Sequence, residues 1–175
     1  MTKEEILSLI EKENVNFFRI QFCDINGFMK NIAIPRSQIK KALDGKIMFD
    51  GSSIDGFARI QESDMYLVPD YDTFCILPWR NQEGVSAARI ICDVHKSDGS
   101  AFEGCPRVNL KRVLAQAKEM GYTMNVGTEA EFFLFKLDAD GKSTTTTDDN
   151  AGYFSLDPED TGLNCRREII ETLEK

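Results

Sequence analysis

Phe18, Ile20 and Phe22 alternate with Arg19 and Gln21, and that period of two commits the segment to a strand with one buried face. The next residues, Asp24-Ile25-Asn26-Gly27, contain an Asn-Gly pair, which tolerates positive φ at two positions and favours a tight hairpin. Residues 28–34 are then the returning strand, stopped by Pro35. Upstream, Thr2-Lys3-Glu4-Glu5 fits a capping box, and Ile6, Leu9 and Ile10 follow at helical spacing. A short helix therefore precedes the hairpin and ends near Asn14. Downstream, Ser37 can cap a second helix whose apolar face is Ile39, Ala42 and Leu43, closed by Gly45. Residues 65–68, 74–77 and 87–94 read as strands between Pro, Asp and Gly turns. The first hundred residues thus predict an α+β unit with a mostly antiparallel or mixed sheet.

Gly104-Cys105-Pro106 marks a boundary. Beyond it Leu110, Val113, Leu114, Ala117 and Met120 share a helix face that Gly121 terminates. A strand is expected roughly over 122–137, then a polar exposed loop over 138–150 that includes Thr144 to Thr147. Thr161 or Asp160 can start a last helix with Leu163, Ile169, Ile170 and Leu173 as its apolar residues. Helix, strand, loop and helix are too little to close a core, because a lone strand cannot satisfy its backbone edges. The expectation is the N-terminal part of something longer, by natural or engineered truncation. Alone it would be poorly soluble or partly molten, its apolar faces bare.

Charge narrows the function. Lys and Arg number 21 against 29 Asp and Glu, a net −8. No basic excess exists to neutralise nucleic-acid phosphates or to hold an anionic membrane surface. No apolar run is long enough to span a bilayer, and the acidic opening shows no secretory signal, so a cytoplasmic location is expected. The five cysteines (Cys23, Cys75, Cys92, Cys105 and Cys165) include no CxxC pair and read as reduced thiols, mostly packed as small hydrophobes. His95, the only histidine, reads as a surface residue at a strand end. Chemistry should therefore rest on carboxylates and metals.

Asn125-Val126-Gly127-Thr128-Glu129-Ala130-Glu131-Phe132-Phe133-Leu134-Phe135 is the most informative stretch. On a strand, Glu129 and Glu131 share a face, about 6–7 Å apart. Neighbouring carboxylates repel unless a cation lies with them, and hard divalent ions suit such oxygens. The spacing alone also fits a solvated strand face; the aromatics that follow favour a buried one. The loop Phe49-Asp50-Gly51-Ser52-Ser53-Ile54 offers a carboxylate and two hydroxyls beside a glycine. It fits either an ordinary Asx turn or a cation site, ammonium included. Asp138-Ala139-Asp140-Gly141 has the start of a calcium loop but the wrong spacing, and is expected to be a turn. Neither GxxxxGK[ST] nor GxGxxG occurs.

Taken jointly and in order, several segments closely resemble bacterial type I glutamine synthetase. They are the 49–54 loop, Glu62-Ser63-Asp64-Met65-Tyr66-Leu67-Val68-Pro69-Asp70, Gly127-Thr128-Glu129-Ala130-Glu131-Phe132, Gly152-Tyr153-Phe154 and Cys165-Arg166-Arg167-Glu168-Ile169. Residues 56–64 are most similar to the feedback-inhibited subgroup typical of Gram-positive bacteria. The resemblance implies an N-terminal β-grasp domain over 1–101 and, over 105–175, the incomplete beginning of a catalytic α/β barrel-like domain. It implies Mg²⁺ or Mn²⁺ as cofactor and ATP as substrate. ATP phosphorylates glutamate and ammonia displaces the phosphate. It implies a homo-oligomer of stacked rings, a dodecamer, with active sites shared between neighbouring subunits. By the same resemblance Glu129 and Glu131 are metal ligands. Asp50 and Ser53 belong to the loop lent to a neighbour's ammonium site, and Tyr153 lies at that site. Asp64 sits near the intersubunit junction, and Arg59 is linked to glutamine feedback. The remaining ligands and the ATP and glutamate sites are expected beyond Lys175, so this chain alone should not turn over. The competing readings are a γ-glutamyl ligase acting on an amine, and a non-catalytic chain that only joins such subunits.

Overall fold

The computed structural model describes residues 1–57, 63–78, 86–156 and 158–174. It divides into two compact units, Met1–Met124 and Asn125–Lys175.

The first unit begins with α1 (Lys3–Lys12), and its capping box forms as expected: the Glu5 amide donates to Thr2 Oγ1 at 3.2 Å and the Thr2 amide to Glu5 Oε2 at 2.7 Å. Ile6 and Ile10 face inward. β1 (Val15–Cys23) buries Phe18, Ile20 and Phe22, as their alternation requires. β2 (Met29–Pro35) returns antiparallel, with Phe18 opposite Ile34. The connecting turn is wider than an Asn-Gly hairpin. Only Gly27 takes positive φ, and the buried Asp24 organises the bend by accepting from the amides of Asn26 and Phe28, each at 2.9 Å. A side-chain acceptor inside the turn replaces the two-residue geometry.

Ser37 does not cap the next helix. It lies within a 3₁₀ turn, Arg36–Gln38, that runs into α2 (Ile39–Leu43) with no side-chain cap. β3 is Ile47–Asp50. The segments expected as two strands at 65–68 and 74–77 form one bent strand, β4 (Asp64–Leu77). The ladder shifts register between Asp70 and Cys75, where Thr73 Oγ1 accepts from the Ile91 amide at 2.8 Å and donates to the Asp70 carbonyl at 2.7 Å. A hydroxyl thus stands in for the lost ladder bond and keeps the strand continuous. β5 is Ser86–Lys96.

The sheet order is β2-β1-β5-β4-β3, mixed because β1 and β5 run parallel. Alternating residues of β5, Ala88, Ile90, Cys92 and Val94, join Phe18, Ile20, Met65, Leu67 and the helical Ile6, Ile10 and Leu43 in one core. Each large side chain so buried contributes about 1.5–3 kcal/mol.

α3 (Pro106–Glu119) is held by charge as well as by packing. Arg107 bridges Asp93 at 2.7 Å and Asp70 at 2.6 Å, and Lys111 reaches both carboxylates. The face predicted apolar stays half open: Leu110 and Val113 are each about half exposed.

The chain from residue 122 onward departs most from expectation. Residues 122–134 adopt no regular secondary structure, so the long strand predicted there is reduced to β6 (Phe135–Leu137). The threonines expected in a loop instead form β7 (Ser143–Thr147), paired antiparallel with β6. β-branched residues favour strand geometry once a partner is at hand. Asp138 makes the turn between them, accepting from the amides of Asp140 and Lys142. α4 (Leu163–Leu173) starts at Gly162, and neither Thr161 nor Asp160 caps it.

Candidate functional site

The end of β3 carries the loop singled out above. Asp50 Oδ1 accepts from the Ser52 amide at 2.9 Å and the Ser52 hydroxyl at 2.6 Å, while Oδ2 takes the Ser53 hydroxyl at 3.3 Å. These bonds close the single 3₁₀ turn Gly51–Ser53 and leave the carboxylate exposed. The Ser52 hydroxyl and amide, with the Ser53 hydroxyl, hold Asp50 below the ordinary carboxylate range, so it is ionised at neutral pH.

The loop is anchored beneath. Gly51 donates to the Ser63 carbonyl at 2.7 Å, and a Cβ there would come 2.5 Å from Met65 Sδ. Phe49 lies 4.7 Å from Phe22, ring centre to ring centre, and Phe57 seals the far side. Asp64, exposed, stands opposite Asp50 on the β3–β4 ladder. Arg59 lies outside the described residues.

In the second unit, Glu129 and Glu131 are both exposed and sit on irregular chain. The same-face argument needed a strand, and the strand needed a partner that residues 122–134 do not have among those described. The buried strand inferred from the aromatics is likewise absent: Phe132 and Phe133 are 56% and 77% exposed. Among the described residues no three His, Cys, Asp or Glu side chains converge on a metal-sized point.

The structure does bring Glu131 and Tyr153 to one place. Both line an open cleft of about 990 Å³ that also receives Asp148, Asp149, Asp160 and Arg166. Glu129 is not among its lining residues. From sequence, Asp160 reads only as a helix start, and neither Asp148 nor Asp149 is singled out. The only local sign was Asp148-Asp149-Asn150, a turn-forming run hidden in a stretch read simply as polar loop.

The comparisons with known proteins agree along the whole chain. Residues 14–97 match the family model described as glutamine synthetase, beta-Grasp domain, and residues 103–175 the one described as glutamine synthetase, catalytic domain. The chain belongs to the glutamine synthetase family. A glutamine synthetase of Clostridium saccharobutylicum is 58% identical over 99% of this chain, and one of Staphylococcus aureus 56% over the same share. The chain spans about 39% of the length of each. A cryo-EM structure of Plasmodium falciparum glutamine synthetase superposes with a TM-score of 0.71 at 18% identity, covering 99% of this chain and 40% of that one. The mixed sheet of the first unit falls within the stretch that matches the β-grasp model. The β-grasp match ends at residue 97 and α3 falls within the catalytic-domain match, although α3 packs in the first compact unit.

Proposed function

We propose that the protein carrying these residues is a glutamate–ammonia ligase, forming glutamine from glutamate, ammonia and ATP through γ-glutamyl phosphate. The observation that supports this most is the 58% identity with the Clostridium saccharobutylicum glutamine synthetase.

In this reading Asp50 supplies a fixed negative charge for ammonium. Its Oδ2, engaged among the described residues only by the long Ser53 contact, is the oxygen open to an ammonium N–H. The fixed charge gathers ammonium and promotes its deprotonation, and the neutral ammonia so formed attacks the γ-carbonyl carbon with its lone pair as phosphate departs. Ser53 orients the carboxylate on a loop that one subunit lends to its neighbour's site, and it is the neighbour's Tyr153 that contributes a ring and hydroxyl to that small cation. Glu129 and Glu131 fit Mg²⁺ or Mn²⁺ in the kind of donor they offer, hard anionic oxygen, though two carboxylates are fewer than an octahedral ion takes. A bound divalent ion would offset the charge on the transferring phosphoryl group. Arg59 is assigned to glutamine feedback, and Asp64 to the junction between subunits of a ring-forming homo-oligomer, a dodecamer of stacked rings in the cytoplasm. The domain division in this reading is 1–101 and 105–175.

The test is a chimera in which this chain replaces the matching stretch of the Clostridium saccharobutylicum relative. It should release phosphate from ATP with glutamate only when ammonia is present. Asp50→Ala should lower kcat/KM for ammonia roughly 10- to 100-fold, the loss of one charged contact. A chimera without ammonia-dependent turnover, beside an active parent, would overturn the proposal.

A further inference from the structure

The second unit holds Tyr153 in a strained turn. Tyr153 and Phe154 are 93% and 86% exposed, so almost no packing fixes them. Phe154 has φ of +64°, a left-handed conformation that costs a bulky L-residue on the order of 1–3 kcal/mol. Its ring leans on Tyr153, centroids 4.2 Å apart. Such a conformation persists only when neighbouring bonds over-determine it.

Asp149 supplies part of that set. Its Oδ2 accepts from the Thr161 amide at 2.8 Å and lies 3.1 Å from the Thr161 hydroxyl. Its Oδ1 accepts from the Ala151 amide at 3.2 Å. One half-buried carboxylate therefore ties the start of the 151–155 turn to the residue before the cap of α4. The Thr161 hydroxyl also donates to Asp148, and Asp160, paired with Arg166, accepts from the Gly162 amide at 2.9 Å. The turn is closed at its other end by the Ser155 amide on the Gly152 carbonyl, 3.2 Å, and by the Gly152 amide on Ser155 Oγ, 3.1 Å.

We infer that Asp149 is a positioning residue: through Ala151 and Thr161 it holds the turn that presents Tyr153 to ammonium. The inference rests on the reading of Tyr153 given above. The Thr161 and Ala151 amide donors keep Asp149 in its charged form at neutral pH, which suits an acceptor serving two backbone amides at once. Asp149→Asn retains one carbonyl acceptor and can keep only part of the tie. Asp149→Ala keeps none.

The experiment uses the chimera described above, with Asp149→Ala and Asp149→Asn. Asp149→Ala should raise KM for ammonium about tenfold, as expected for losing a contact set worth a decade in affinity, and leave KM for ATP and glutamate within about twofold. Asp149→Asn should fall between it and the unmodified chimera. Hydrogen exchange of the 175-residue chain should be fastest over 148–161 in Asp149→Ala, with Asp149→Asn between it and the unmodified chain. An active chimera in which all three KM values rise together, or none does, overturns this inference and leaves the ligase reading standing. A chimera with no ammonia-dependent turnover overturns both.

Discussion

Asp50 and Asp64 stand directly opposite each other on the antiparallel β3–β4 ladder, both exposed. Like charges at opposed positions destabilise a ladder, and nothing in the packing of β3 requires them. A repulsion kept at the rim of a candidate cation loop concentrates negative potential where a cation would arrive. Asp64→Asn should therefore stabilise the isolated chain, raising Tm by roughly 1–2 °C at low salt and by less in about 1 M salt, where screening is short-ranged. Thermal melts at two ionic strengths check this, and a lower Tm at low salt would contradict it.

The Arg107 bridge predicts an acid dependence. The Arg107 guanidinium, with Lys111 beside it, holds Asp70 below its usual carboxylate range despite partial burial. The unfolded chain then takes up this proton before the folded one does, so the bridge stabilises fully above the ordinary carboxylate pKa near 3.9. That contribution is lost as pH falls through the lower folded value. Arg107→Ala should cost about 1–3 kcal/mol at pH 7, since among the described residues it leaves the partly buried Asp70 and Asp93 with Lys111 alone. Urea titrations should show the gap between the two proteins narrowing below about pH 4. A gap that widens there would refute the assignment.

Gly51 lies under the Asp50 loop against a buried methionine. An added Cβ would meet Met65 Sδ at 2.5 Å and the Ser63 carbonyl at 3.2 Å. Gly51→Ala should cost about 1–3 kcal/mol through overpacking. Combined with Met65→Ala, it should cost less than the two single changes added together, because the methionine supplies the nearer clash. Strict additivity in a double-mutant cycle would show that the loop moved instead.

Much of the first unit was legible in its residues. Phe18, Ile20 and Phe22 bury as their spacing requires, and Thr2 and Glu5 close the box their spacing allows. These readings succeed because strand alternation and helix capping are settled within a few residues. Ser37 failed as a cap for a related reason: Pro35 and Arg36 already start a 3₁₀ turn one position earlier. Of the candidate site, the Asp50–Ser53 turn could be read from the order of its residues. The Asp149 tie could not, since Asp149 and Thr161 are twelve positions apart.

Glu129 and Glu131 mark the boundary between the two kinds of information. Their spacing is written in the chain, and so is the family likeness that gives them meaning. Whether they share a face is not, because pleated geometry exists only where another strand accepts the backbone bonds. The local order of residues determined the elements of the first unit and the chemistry available in each loop. Tertiary structure alone decided that β1 lies parallel to β5, that Asp64 confronts Asp50, and that residues 122–134 form no strand while the threonines after them do. Pairing joins segments far apart in sequence, and no local pattern names the partner.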